Sequence, residues 1–225
     1  MPSERYLQLH AQLSILRAHL LPDPFEETGL YNDEEKVATT ALAYRVLAHA
    51  EIEAYFEDRA LEIVNRARIA WKDHSHISRV ALCLMAFSGR TMALPPDSLE
   101  PPGDNSRKAW PELLDIGKRL TSVITDFNTY VRTQNHGIKE KNLLSLLLPI
   151  GVEHLRLDPG FLADIESFGS MRGHAAHTSS RAAVRRAVDP EEEFKRVESL
   201  LVGTEAIDVL LDDLVKDIPE KDTSG

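Results

Sequence analysis

Apolar residues recur at helical spacing along most of this chain. In the first segment Tyr6, Leu13 and Leu20 share one stripe, and Ser3 stands where a helix N-cap is expected. No segment shows the sustained alternation of apolar and polar residues that is typical of a half-buried strand. The pattern therefore predicts an all-α fold, an up-and-down helical bundle with additional helices.

Capping residues, prolines and glycines divide this pattern into predicted helices. The helices are expected over residues 3–20, from 32 or 33 to 70, from 75 or 78 to 87, over 111–133 and 141–148, over a segment that begins at 158–160, and over 189–218. Residues 89–109 contain four prolines and are expected to form an exposed loop inserted into a single domain over 1–218. Residues 219–225 are expected to be a flexible C-terminal tail.

The charge of the chain narrows its possible partners. A net charge of −10 argues against a surface that coats nucleic acid generally. The stretch from Arg172 to Arg186 is nevertheless basic, with four arginines, two histidines and no acid. Such an island fits a confined anion site, although a solvated basic helix face explains the charge equally well.

Targeting signals are not evident in the sequence. No run of 18 apolar residues predicts a membrane span, and the N-terminus lacks the pattern of a signal peptide. The single cysteine, Cys83, excludes an internal disulfide. We therefore expect a cytoplasmic protein that does not enter a membrane.

An arginine followed at short spacing by a histidine is the most suggestive chemical pattern, because a permanent cation beside a group that titrates near neutrality suits phosphodiester chemistry. The spacing Arg-x(4–6)-His occurs in three pairs, which are Arg5/His10, Arg68/His74 and Arg172/His177. Positions five apart on one helix point about 140° apart, so the first pair is interpreted as surface residues. The second is expected to span a helix break at residues 71–73.

The third pair has the most suitable surroundings. Gly169, Gly173 and a Thr-Ser-Ser run flank Arg172 and His177, so the backbone can begin a helix late and small side chains leave room for a ligand. His174 and His177 also form an HxxH pattern, but no carboxylate or cysteine stands nearby to complete a metal site. We therefore expect a site without metal or other cofactor.

Two acids in the middle of the second helix are possible partners of such a site. Glu51 and Glu53 lie in the stretch 48–55, and either can face the bundle interior and orient a base. A solvated helix face is the commoner explanation for acids of this kind.

The order of these segments resembles the HEPN superfamily, and most of all its RiboL-PSP-type branch. The resemblance covers roughly residues 38–215 and rests on the long acidic-faced second helix, on Asn-His-Gly-Ile-Lys at 135–139, and on the Arg-x(4–6)-His motif near the start of a late helix. At two positions the chain departs from the family pattern. Gly173 follows the motif arginine where members often carry a polar residue, and Ser179 stands where some carry a tyrosine that a partner antitoxin modifies.

The resemblance implies a homodimeric, metal-independent endoribonuclease of a toxin–antitoxin or phage-defence system. It implies that Arg172 binds the scissile phosphate and that His177 exchanges protons with the RNA 2′-OH and the leaving oxygen. Auxiliary or RNA-binding roles are then expected for His174, Arg181, Arg185 and Glu51, and a protein antitoxin or regulator is an expected partner.

Two other interpretations of the sequence stay open. The runner-up to the ribonuclease is a catalytically silent helical module that binds RNA, a nucleotide or a protein. The chain is also compatible with a plain helical scaffold in which Arg172 and His177 only cap a helix.

Overall fold

All regular structure in the described residues is helical, which confirms the predicted all-α fold. A computed structural model describes residues 1–89, 115–178 and 188–219, and for 173–178 it describes the backbone alone. The helices are α1 (Glu4–Leu20), α2 (Glu34–His74), α3 (Arg79–Phe87), α4 (Ile116–Thr133), α5 (Glu140–Leu147), a 3-10 turn (His154–Arg156), α6 (Pro159–Thr178) and α7 (Pro190–Lys216). No helix within these ranges is both long and apolar enough to cross a membrane.

Helix α2 is the centre of the bundle, because each of the other six described helices packs against it. Its 41 residues span about 60 Å at 1.5 Å per residue. Small residues let neighbouring helices approach this axis closely, since an alanine adds little bulk to the helix surface. The alanines of α2 that are fully buried are Ala41, Ala48, Ala60, Ala67 and Ala70.

Most helix starts lie where the sequence predicts them. The side chains of Ser3, Asp33, Ser78 and Asp189 each accept hydrogen bonds from backbone N–H groups in the first turn of their helices. These contacts satisfy donors that have no partner within the helix. The capping signals in the sequence therefore identify the starts of α1, α2, α3 and α7 correctly.

The predicted break at residues 71–73 is wrong. Helix α2 continues through them to His74 and ends at Ser75, which adopts the left-handed conformation (φ 53°) and donates its backbone N–H to Ala70 and Trp71. Arg68 and His74 therefore lie on one continuous helix. The side chain of Arg68 donates to Asn65 one turn away, so its contact lies on the exposed surface of α2.

Several predictions concern residues that the structure does not describe. Within the described part, α4 begins at Ile116 after its N-cap Asp115, and the predicted start at Pro111 falls outside it. The loop at 90–109, the tail at 220–225, and Arg181 and Arg185 also lie outside the described residues.

A buried carboxylate, Asp208, joins three helices. Its Oδ2 accepts from the backbone N of Ser3 at 2.7 Å, and its Oδ1 accepts from Ser3 Oγ at 2.7 Å and from Tyr55 Oη at 2.6 Å. The Arg59 guanidinium lies 3.3 Å from Oδ1, and Asp208 and Arg59 are 0% and 3% exposed. Because Ser3 caps α1, this cluster fixes the start of α1 against α2 and α7.

Helices α6 and α7 touch where Phe161 covers Gly203. A Cβ at position 203 would overlap Phe161 Cδ2, so alanine does not fit unless the buried ring moves. We expect Gly203→Ala to lower the free energy of unfolding by about 1–3 kcal/mol through overpacking, measured by urea denaturation.

Gly160→Ala is the matched control, since a Cβ there meets only Asp158 at 3.4 Å and alanine favours the helix. If the Gly203→Ala protein were as stable as the Gly160→Ala protein, the Phe161 ring would have to move aside at little cost, and the expected overpacking would be contradicted.

Candidate functional site

The candidate site lies where α2, the segment 134–139 and α6 meet. Arg172 is exposed and belongs to the last two turns of α6. Its positive charge acts on His49 of α2, and burial together with this charge lowers the pKa of His49 to about 4. The structure therefore brings the motif arginine to a histidine that the sequence analysis did not single out.

His49 is buried against an aromatic ring. The residue is 1% exposed, and its ring stacks on Phe168 with centroids 6.0 Å apart and planes inclined by 30°. Nδ1 lies 3.5 Å from Glu53 Oε2 and makes no hydrogen bond. Burial of an imidazole disfavours its charged form, so His49 is neutral at pH 7.

Two carboxylates of α2 fix the segment that follows α4. Glu53 Oε1 accepts from the backbone N–H of Gly137, and Glu57 Oε1 accepts from Asn135 Nδ2 at 2.8 Å. Burial raises the pKa of Glu57, and the bond from Asn135 opposes this. Gly137 has a φ of +106° that favours glycine, and its Cβ position lies 3.8 Å from the His49 ring.

The same segment is attached to α6 through Glu166. Its Oε2 accepts from the backbone N of Glu140 at 3.1 Å, and its Oε1 lies 3.8 Å from Lys139 Nζ and 3.4 Å from Ser170 Oγ. A Cβ on Gly169 would lie 3.3 Å from the backbone N of Lys139, so a glycine allows this close approach. The Asn-His-Gly-Ile-Lys sequence at 135–139 thus lies between α2 and the helix that carries Arg172.

Arg172 and His177 belong to one unbroken helix. Helix α6 runs from Pro159 to Thr178, so the expectation that the motif lies near the start of a late helix is wrong. Gly169 and Gly173 lie within α6 and do not interrupt it. Gly169 instead allows the close contact of this helix with Lys139. Positions 172 and 177 are about 140° apart around this helix. The side chains of His174 and His177 lie outside the described residues.

The other predicted residues lie apart from this meeting point. Glu51 is half-exposed on α2, and Glu53, two residues later, makes the contact with the 134–139 segment. Arg5 forms an ion pair with Asp58 at 2.9 Å, while His10 is exposed. No group of three or more histidines, cysteines or acids in the described ranges is arranged to hold a metal ion.

Comparisons of the chain with protein-family models, curated proteins and solved structures find no match. The resemblance to the HEPN superfamily therefore stays a prediction from the sequence, based on the second helix, on residues 135–139 and on the motif of Arg172 and His177.

The neutral state of His49 predicts a measurable loss of stability in acid. The unfolded chain binds a proton at this histidine near pH 6.5, whereas the folded chain does so only near pH 4. Between these values the unfolded state holds more protons, so the free energy of unfolding falls as the pH falls. We expect His49 to account for a loss of about 3 kcal/mol between pH 7 and pH 4, at 1.36 kcal/mol per pKa unit. Urea denaturation at a series of pH values measures it.

His49→Gln is expected to remove this part of the acid lability, and His74→Gln is the matched control because His74 is exposed at the end of the same helix. Glu57, whose pKa burial raises, is present in all three proteins and is not the source of a difference between them. Equal pH slopes for the wild type and His49→Gln would contradict the assignment of a neutral, buried His49.

Proposed function

We propose that this chain is a metal-independent endoribonuclease that cleaves RNA through the 2′-OH, with Arg172 and His177 as its reacting groups at a site shared by two protomers. The observation that carries this proposal is the position of Arg172. It is an exposed cation on a chain of net charge −10, and no carboxylate in the described residues lies within 4.0 Å of its guanidinium. An arginine without a neighbouring acid keeps its fork of N–H donors available for a phosphate.

The surroundings of Arg172 favour the binding of an anion. His49 packs against Phe168, which fixes α6 at the position directly before Gly169 and two residues before Ser170. Glu166 is attached to Lys139 and to the backbone of Glu140. The acids nearest to the site are therefore occupied by the 134–140 segment and do not compete with a phosphate for Arg172.

The proposed reaction requires one base, one acid and one cation. The 2′-oxygen attacks the adjacent phosphorus as His177 removes its proton, and the bond from phosphorus to the 5′-oxygen breaks. Protonated His177 then acts as the acid and gives this proton to the leaving 5′-oxygen, and the products are a 2′,3′-cyclic phosphate and a 5′-hydroxyl. Arg172 offsets the negative charge that grows on the phosphate oxygens in the transition state.

The geometry of α6 favours a site shared between protomers. Because positions 172 and 177 are about 140° apart on one helix, one helix does not present both to the same phosphate. A two-fold axis beside the end of α6 places Arg172 of one protomer next to His177 of the other. A homodimer is therefore part of the proposal.

The direct test is incubation of the purified protein with single-stranded RNA in EDTA. We expect cleavage that leaves 2′,3′-cyclic phosphate and 5′-hydroxyl ends, because the nucleophile belongs to the RNA. The matched DNA strand lacks the 2′-OH and is expected to stay intact. Cleavage of the DNA, or dependence on an added divalent ion, would contradict the mechanism.

A catalytically silent binding module is the second candidate function. It is favoured by a large apolar groove that is lined by residues of α3, α4 and α5 and by Glu166. An absence of cleavage over a range of RNAs would decide for this module and against the ribonuclease.

A further inference from the structure

An open groove of about 710 Å³ lies between three helices of the bundle. Its floor is apolar and consists of Leu84 and Phe87 of α3, Val123, Phe127 and Tyr130 of α4, and Leu144 and Leu148 at α5. Phe87 is 59% exposed, which is unusual for a phenylalanine beside other apolar groups. An open apolar groove with an exposed phenylalanine is typical of an interaction site.

The spacing of the floor residues indicates the shape of the occupant. Val123, Phe127 and Tyr130 follow each other at i, i+4 and i+7 on α4, and Leu144 and Leu148 are four apart. Such rows form ridges with a groove between them, into which the ridge of another helix packs. An amphipathic helix that lays its apolar face between α4 and α5 fits this surface.

The rim of the groove indicates the charge of the occupant. It carries three acids, Asp126, Glu140 and Glu166, against one base, Lys141. Asp126 and Glu140 are exposed, so their charges act on a ligand at the rim. A helix with lysines or arginines beside its apolar face complements this rim.

The groove shares two residues with the candidate site. Glu140 and Glu166 line it, and the hydrogen bond from the backbone N of Glu140 to Glu166 also attaches the 134–140 segment to α6. A cation in the groove competes with Lys139 for the Glu166 carboxylate, which lies 3.8 Å from Lys139 Nζ. An occupant of the groove therefore acts on the contact that positions the helix of Arg172.

We infer that this groove is the docking site for a basic amphipathic helix of a partner protein, and that docking acts on the Glu140–Glu166 contact. Binding and RNA cleavage are read by separate assays, so the docking site does not depend on the proposed ribonuclease activity.

The probe is a fluorescein-labelled helical peptide with leucine and phenylalanine at i, i+3, i+4 and i+7 and lysines on the flanking positions. Binding to the full chain is followed by fluorescence anisotropy. The same peptide with glutamates in place of the lysines is expected to bind at least about tenfold more weakly. Hydrogen exchange at the backbone of residues 139–141 is expected to change when the lysine peptide binds.

Two pairs of variants locate the binding surface. Phe87→Asp is expected to weaken the binding of the lysine peptide at least about tenfold, whereas Leu82→Asp is expected to leave the affinity unchanged. Leu82 is also 59% exposed on α3 but does not line the groove, so it controls for the loss of an exposed apolar residue. Asp126→Lys is expected to weaken the binding of the lysine peptide but not that of the glutamate peptide. Asp164→Lys is its control, because Asp164 does not line the groove.

Three results would overturn the inference. Equal affinity of the lysine and glutamate peptides would show that the acidic rim does not select the ligand. Binding only after residues 90–109 are replaced by a Gly-Ser linker of equal length would identify that segment as the occupant. A dimer dissociated by Phe87→Asp, seen by sedimentation, would identify the occupant as a second copy of this chain.

Discussion

Replacing His177 by alanine is expected to lower the rate of RNA cleavage by about 10²–10⁴-fold, the usual contribution of a positioned general acid or base. The expected loss is in the chemical step, since the proposed histidine moves protons and does not anchor the strand. Single-turnover cleavage of a labelled single-stranded RNA in EDTA measures this step. The affinity for RNA is expected to change little.

Matched variants distinguish this effect from a general loss of charge. His10→Ala removes an exposed histidine of α1 and is expected to leave the rate unchanged. Arg172→Ala is expected to lower the rate by about 10²–10³-fold, whereas Arg132→Ala removes an exposed arginine at the end of α4 and is expected to have little effect. Wild-type rates in His177→Ala would contradict the assigned role of this histidine.

Mixing the two inactive variants tests whether the site is shared. A mixed dimer of Arg172→Ala and His177→Ala keeps one site with an intact arginine from one protomer and an intact histidine from the other. Half of randomly mixed dimers are of this kind, so about a quarter of the wild-type activity is expected to return. No recovery would show that both groups act within one protomer, which the 140° separation on α6 argues against.

The helices could be predicted because their signals are local. Ser3, Asp33, Ser78 and Asp189 bond backbone groups two or three residues away, and a short window of sequence contains both partners. The wrong break at residues 71–73 has a different origin. The end of α2 is set by the left-handed Ser75, and nothing before His74 interrupts its hydrogen bonds.

The candidate site could be predicted only in part. The motif identified Arg172. The sequence analysis did not choose between Glu51 and Glu53, although helical geometry favours Glu53. Glu53 is four residues after His49 and so shares its face, whereas Glu51 is about 200° away from it. The partners of these residues at 135–140 lie more than 80 positions along the chain, a separation that no periodicity encodes.

Replacing Asp208 by alanine is expected to lower the free energy of unfolding by about 3–5 kcal/mol, a large part of the ~5–15 kcal/mol of an ordinary domain. Three donors, which are Tyr55 Oη and the Oγ and backbone N of Ser3, lose their acceptor, and a buried donor without a partner costs about 1–3 kcal/mol. Arg59 keeps Glu62 and Asp212 but loses the one partner that is fully buried. Urea denaturation at neutral pH measures the change.

Asp213→Ala is the matched control on the same helix. Asp213 bonds Arg156 and Lys216 at 3.2 Å each, but all three side chains are more than 40% exposed, so water replaces these contacts. We expect the free energy of unfolding to change little there. If Asp208→Ala also changed it little, water would have to reach Tyr55 and Ser3 through the packed junction of α1, α2 and α7. Since Asp208 is 0% exposed, opening that junction requires α1 to move away from α2 and α7, and faster hydrogen exchange in α1 would reveal it.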